Sequence, residues 1–191
     1  MAKKSKANTR QMLDVISCVI INKHIPSDQT RMVEHNTGGR KGSVQCQIDK
    51  GKEEILLCRF DQNSKNYQLF PYFQQVEGMV SMCDYILFVE DDKNLFAFSI
   101  DLKDTADSPK PQTIYARTFA EFIVNRIRAV WGMKNFPKPV EYRQVGIKTT
   151  CDKMTTMGYA RLAYDADGYL VLPDYHHFYT RLLMDTGFKQ T

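Results

Sequence analysis

The stretch CDYILFVEDDKNLFAFSIDLK, residues 83–103, decides the fold of this 191-residue chain. Two apolar runs flank the charged tetrapeptide DDKN, the pattern of an apolar β-hairpin. Side chains alternate along a strand. Asp84, Ile86 and Phe88 therefore share one face of the first arm, and Ala97, Ser99, Asp101 and Lys103 share one face of the second. With Asp91, Asp92, Lys93 and Asn94 as a four-residue loop, pairing counted outward sets Asp84 opposite Asp101. A loop of three or five residues would slide the register and swap the faces.

Opposed like charges destabilise a sheet, and crowded carboxylates resist joint ionisation. A divalent cation between them removes both objections. Two hard oxygen ligands with room for water suit Mg²⁺ or Mn²⁺, whereas zinc calls for His or Cys ligands, which this stretch does not offer in a ligand pattern. Lys103, two residues beyond Asp101 on the same face, would point its ammonium at the anion or water that the cation holds. The alternative is that Asp84 and Asp101 are solvated charges at strand ends.

Composition sets the frame around this hairpin. A hydrophobic fraction of 43% with 25% charged residues is that of a globular protein, and no apolar run approaches the roughly 20 residues needed to span a bilayer. A membrane protein is not expected. The net charge of +4 permits a polyanionic partner without requiring one. Five cysteines, Cys18, Cys46, Cys58, Cys83 and Cys151, lie singly and form no CxxC pair, so reduced, buried thiols and a cytoplasmic location are expected. Residues 1–8 read as a basic flexible arm without the apolar core of a signal peptide, and residues 9–191 as a single domain.

Along the chain, Asn8 or Thr9 can cap a helix to about Asn22, with Met12, Leu13, Ile16, Val19 and Ile20 as its apolar stripe. Residues 27–42 read as a loop ending in a glycine-rich turn. Val44, Cys46 and Ile48 alternate with polar residues, and with residues 55–60 they suggest a hairpin. Residues 112–131 have helical spacing, with Tyr115, Phe119, Phe122, Ile123, Ile127 and Val130 on one side. Gly132 stops that helix, and Pro137 and Pro139 lead into a strand over residues 140–149. A short strand at 168–172 and a final helix opened by Pro173 and Asp174 complete the order. His176 and His177 would then sit on that helix about 100° apart, unsuited to sharing one metal. Tyr164, Tyr169, Tyr175 and Tyr179, with Arg161 and Arg181, read either as core or as a base-stacking surface.

An Asp at the head of an apolar strand, a turn, an apolar strand ending in Asp-x-Lys and then an amphipathic helix together resemble the PD-(D/E)xK nuclease superfamily. The residues concerned are Asp84 at the head of DYILF, Asp101-Leu102-Lys103 closing FSIDLK, and the helix from Gln112. Met82 and Cys83 stand where the name-giving proline would be, and the middle acid is Asp rather than the commoner Glu. The resemblance implies an α/β (α+β), restriction-endonuclease-like mixed central sheet flanked by helices, with Mg²⁺- or Mn²⁺-dependent hydrolysis of a nucleic-acid phosphodiester, DNA or RNA. It implies Asp84 and Asp101 as metal ligands and Lys103 as the residue that positions or activates the attacking water. Members often add an acid from the first helix, for which Glu34 or Glu77 is the candidate, and a polar or basic residue from the following helix, here Gln112 or Arg117. A catalytically inactive nuclease-fold subunit that binds nucleic acid or protein is the alternative expectation, and either is compatible with a homo-oligomer.

Overall fold

The computed structural model describes residues 11–35, 43–60, 82–103, 110–132, 136–148, 162–173 and 177–185. Its centre is a five-stranded mixed sheet in the order β3-β4-β5-β6-β7, built from Glu54–Cys58, Tyr85–Glu90, Leu95–Lys103, Val140–Lys148 and Tyr169–Pro173. β3, β4 and β5 run antiparallel, and β6 and β7 continue parallel to β5. Helices α1 (Gln11–Val19) and α2 (Lys110–Trp131) cover one face. A small mixed sheet of β1 (Arg31–His35), β2 (Ser43–Asp49) and β8 (His177–Tyr179), with helix α3 (Thr180–Asp185), covers the other. The chain is thus a mixed α/β fold with its main sheet between two layers.

All six side chains of β4 are buried, as its unbroken apolar run requires for a central strand. Leu87, Val89, Phe98, Ile100 and Leu102 face the small sheet, whereas Ile86, Phe88 and Ala97 face the helices. Each fully buried Leu or Phe among them contributes on the order of 2 kcal/mol. α1 buries Met12, Leu13 and Ile16, and Ile20 just beyond it is buried too, as the stripe predicts, but Val19 is half-exposed at the helix end.

The hairpin expected from Val44, Cys46 and Ile48 with residues 55–60 does not form. β2 pairs instead with β1 and β8, while β3 pairs with β4. Cys46 and Ile48 pack face to face against Leu57 rather than edge to edge with it, because stacking two sheets buries more apolar surface than extending one. β1 lies inside the stretch expected to be loop. Its apolar content is small, and tertiary bonds hold it: the Tyr85 hydroxyl donates to the Val33 carbonyl at 2.9 Å and accepts from the Val33 N–H at 2.8 Å.

α2 turns inward a face that overlaps the predicted one at Ile127, Phe119 and Ile123 but is rotated away from Tyr115, Phe122 and Val130. Thr113, Ala116, Ala120, Val124 and Ile127 are buried, while Tyr115, Phe122, Val130 and Trp131 are exposed. Small side chains let the helix axis approach the sheet closely, which the aromatic stripe could not. Phe119, Phe122, Val130 and Trp131 instead line a groove of about 570 Å³ with Val19 and Ile21. Gly132 ends α2 at φ +78°, donating its N–H to the Arg128 carbonyl, as expected of a helix-stopping glycine.

The final helix begins later than expected, because His177 lies on β8, paired with Gln47, with its ring nitrogen against the Asp49 carboxylate. Tyr164 and Tyr169 are core residues and Arg181 pairs with Glu53 at 2.9 Å, so they form no stacking surface with the exposed Tyr179. Cys46, Cys58 and Cys83 are free and buried, whereas Cys18 is exposed. The basic arm, the caps Asn8 and Thr9, the glycine-rich turn, Arg161, Tyr175, His176 and Cys151 lie outside the described residues.

Among the described residues β3 is an edge strand, and Gln29 bonds to its outer side. Its amide oxygen accepts the Leu57 N–H at 2.6 Å and its amide nitrogen donates to the Leu57 and Pro26 carbonyls. The side chain thereby takes bonds that a neighbouring strand would otherwise make. Gln29→Ala leaves both backbone groups of Leu57 without this partner, a loss of about 1–3 kcal/mol. Thermal unfolding followed by circular dichroism is expected to show a melting temperature lower by roughly 3–10 °C.

Candidate active site: two aspartates and a lysine

The hairpin loop has the four-residue length that sets the predicted register. Asp91 Oδ1 accepts the N–H groups of Lys93 and Asn94, both at 2.7 Å, which fixes the turn. Pairing then runs from Glu90 with Leu95 to Tyr85 with Ile100. One step further out, Asp84 stands opposite Asp101, on the face that Ile86, Phe88 and Ala97 turn towards the helices.

The two acids are anchored differently. Asp84 Oδ2 accepts the Leu102 backbone N–H at 2.6 Å, which orients this carboxylate. Asp101 is 1% exposed, and its Oδ2, wholly buried, accepts no aligned hydrogen bond. The Lys103 ammonium lies 3.1 Å from that oxygen as an ion pair, with its side chain 21% exposed. Lys103 therefore reaches from the buried acids towards solvent.

Burial pushes the Asp101 carboxyl up to about 8, and the charge of Asp84 and a hydrogen bond between the two carboxyls push the same way. Lys103 opposes this by charge and contact. Cys83 lies against the pair, its thiol raised well above the usual range by burial and by both acids while its Sγ donates to the Tyr85 carbonyl at 2.9 Å. Two acids crowded in this way favour either a shared proton or a cation.

The donor set is oxygen alone, hard and anionic, and Asp101 Oδ2, ion-paired with Lys103 but accepting no aligned hydrogen bond, keeps lone pairs for a cation, so the residues fit Mg²⁺ or Mn²⁺. Among the described residues, no cluster of three or more His, Cys, Asp or Glu side chains that could hold a metal occurs. Two protein carboxylates with water and substrate oxygens completing the shell is the regime in which Mg²⁺ is usually held.

The accessory candidates separate. Gln112 is in the first turn of α2 with its amide oxygen buried and unpartnered. Thr113 donates to Gln144 Oε1 at 3.2 Å, tying that turn to β6 beside Ser99. Arg117 is engaged along α2 with Glu121 at 3.0 Å. Glu34 is on β1, in the small sheet on the other side of the core, and Glu77 lies outside the described residues.

β6 carries residues that the hairpin alone does not reveal. Asp101 pairs with Gly146 and Lys103 with Lys148, so a second lysine stands beside the first on the neighbouring strand. The sequence signal was the alternation of Gln144, Gly146 and Lys148, which has meaning only once the parallel register is known. Among known proteins, no family model, curated protein or solved structure matches this chain.

Proposed function

We propose that this chain is a metal-dependent nuclease of the PD-(D/E)xK, restriction-endonuclease-like class, hydrolysing a phosphodiester of DNA or RNA. The observation that carries the reading is the contact between the Asp84 and Asp101 carboxyls, with the Lys103 ammonium 3.1 Å from Asp101. A mixed sheet with helices on the face that bears these residues, and α2 following the Asp-x-Lys strand, accords with it.

Asp84 and Asp101 would hold the cation, with Asp84 oriented by the Leu102 N–H. Bound there, Mg²⁺ or Mn²⁺ supplies an acidified water and positive charge against the phosphate oxygens. Lys103 balances the charge of Asp101 and aims an N–H donor towards the space in front of the acids, where it orients a nucleophilic water and a phosphate oxygen. Burial strengthens each of these interactions by lowering the local dielectric.

The burial of both acids, at 6% and 1% exposure, also favours a second reading. With one proton shared between them the pair is a closed structural contact, and the chain is then a nuclease-fold protein that binds nucleic acid or protein without cutting. Titration calorimetry with Mn²⁺ separates the two. Binding weakened by both Asp84→Ala and Asp101→Ala supports the nuclease, and heats indifferent to both substitutions leave only the binding protein.

A further inference from the structure

α2 is apolar on two sides. Its small residues lie against the sheet, while Tyr115, Phe119, Phe122, Arg126 and Val130, spaced three and four apart, form a second stripe that is apolar except at Arg126. A helix apolar on both sides is normally covered on both. Here Phe122 is 58% and Val130 63% exposed, with Ile21, just beyond α1, at 67% beside them.

These residues border the trough of about 570 Å³ between the segment that ends α1 and the carboxyl half of α2. One wall is a run of aromatic rings. His24 stacks on Phe60 with centroids 5.2 Å apart, Phe60 meets Phe119 edge-on at 5.0 Å, and Phe119 stacks with Phe122 at 6.4 Å. Rings packed on one another give a trough whose shape precedes any ligand.

Charge and size select the occupant. The described lining holds two cations, Lys23 and Arg126, and no acid, and burial lowers the pKa of His24 so that its ring stays neutral. Arg126 is exposed and makes no ion pair among the described residues. A second copy docked through the same face would set cation against cation. An α-helix, about 10 Å across with its side chains, would enter this volume only in part, and a flat bilayer would bridge it. A half-open cleft of this size, apolar with a few polar groups, is that of a small-molecule site. It follows α2 from Phe119 to Val130, roughly 16 Å, a length that suits a straight chain.

We propose that the trough binds a free anionic amphiphile with an unbranched apolar chain, of which an alkyl carboxylate is the simplest, its chain along Phe119 and Phe122 and its head group on Arg126. Arg126 stands more than one turn before Trp131, so the head group is clear of the negative end of α2. The trough shares no lining residue with Asp84, Asp101 or Lys103, and the inference is independent of the nuclease reading.

Trp131 is the only tryptophan of the chain and borders the trough, so its emission reports occupancy directly. The full chain is titrated with octanoate, decanoate and dodecanoate below their micellar concentrations. A saturable shift of emission to shorter wavelength is expected, with affinity rising about fourfold for each added CH₂ as the chain leaves water. Arg126→Gln is expected to weaken decanoate binding roughly 3- to 10-fold while leaving the neutral decanol unchanged, and Arg126→Lys to recover most of the loss. Phe122→Ser should weaken both ligands. Both substituted side chains are exposed, and an unchanged circular dichroism spectrum verifies that a lost shift is not a lost fold.

An absence of any saturable shift, or decanoate binding that Arg126→Gln leaves intact, overturns the proposal. A shift that grows linearly with ligand is partition onto apolar surface and overturns it too. Sedimentation equilibrium showing a dimer that Phe122→Ser dissociates would assign the face to a second copy instead.

Discussion

Asp101→Ala is expected to lower Mg²⁺- or Mn²⁺-dependent cleavage of a mixed nucleic-acid substrate by at least about 100-fold, the scale on which removing one preorganised electrostatic group acts. Asp84→Ala should do the same, and the double variant should lose little more, because two ligands of one cation act as a unit. Lys103→Ala removes an ammonium 3.1 Å from Asp101 without removing a ligand. Its loss should fall on kcat, with Mn²⁺ affinity measured by calorimetry changed far less. Gel-resolved cleavage rates at saturating metal decide the matter. Rates that survive Asp101→Ala would end the nuclease reading, and rates that survive Lys103→Ala would remove only the lysine.

The second large effect is on stability. In the metal-free chain, burial and the nearby charge of Asp84 push the Asp101 carboxyl up to about 8, against an ordinary aspartate value of 3.8. Between those values the folded chain binds a proton that the unfolded chain has released, so stability falls as pH rises through the window. Below pH 4 both states are protonated and the effect vanishes. Asp101→Asn imitates the protonated acid and removes this dependence. At pH 8 and without divalent metal it is expected to melt higher than the wild type by roughly 5–10 °C, from a linkage of a few kcal/mol at 2–4 °C for each. The two curves should converge near pH 4. Mn²⁺ should raise the melting temperature of the wild type at pH 8 and leave that of the Asn variant unmoved, because binding to the folded state alone stabilises it. A wild-type melting temperature flat from pH 4 to pH 8 would mean that Asp101 carries no shifted proton.

The hairpin was legible because its signals are local. The DDKN loop, the unbroken apolar arms and the period of two together specify register and face, and Asp84 and Asp101 follow from them. The inward face of α2 was legible only in part, at Ile127, Phe119 and Ile123. Aromatic residues outweigh alanines in any hydrophobic pattern, yet close packing on β5 and β6 selects Ala116, Ala120 and Val124 for their size. β1 and the pairing of β2 were missed for a related reason. Whether a strand joins an edge or stacks on a face is decided by contacts distant in sequence, such as Tyr85 with Val33, a separation of 52 residues. Arg143 illustrates the limit most plainly. A charged residue inside a strand reads as surface, but it is 6% exposed, lies over the rings of Phe96 and Tyr164 and donates to the carbonyls of Leu183 and Met184.

The small turn held by Asp91 sets more than its own shape. From Glu90 to Asp84 the strand extends roughly 20 Å, so the alignment of the acids is determined at the far end of the hairpin from where they meet. Many residues could occupy positions 92 and 93 without disturbing that alignment, but an inserted or deleted residue would turn one acid to the opposite side of the sheet. Diversification of this protein is thus free to rewrite the letters of the turn and is barred from changing its count.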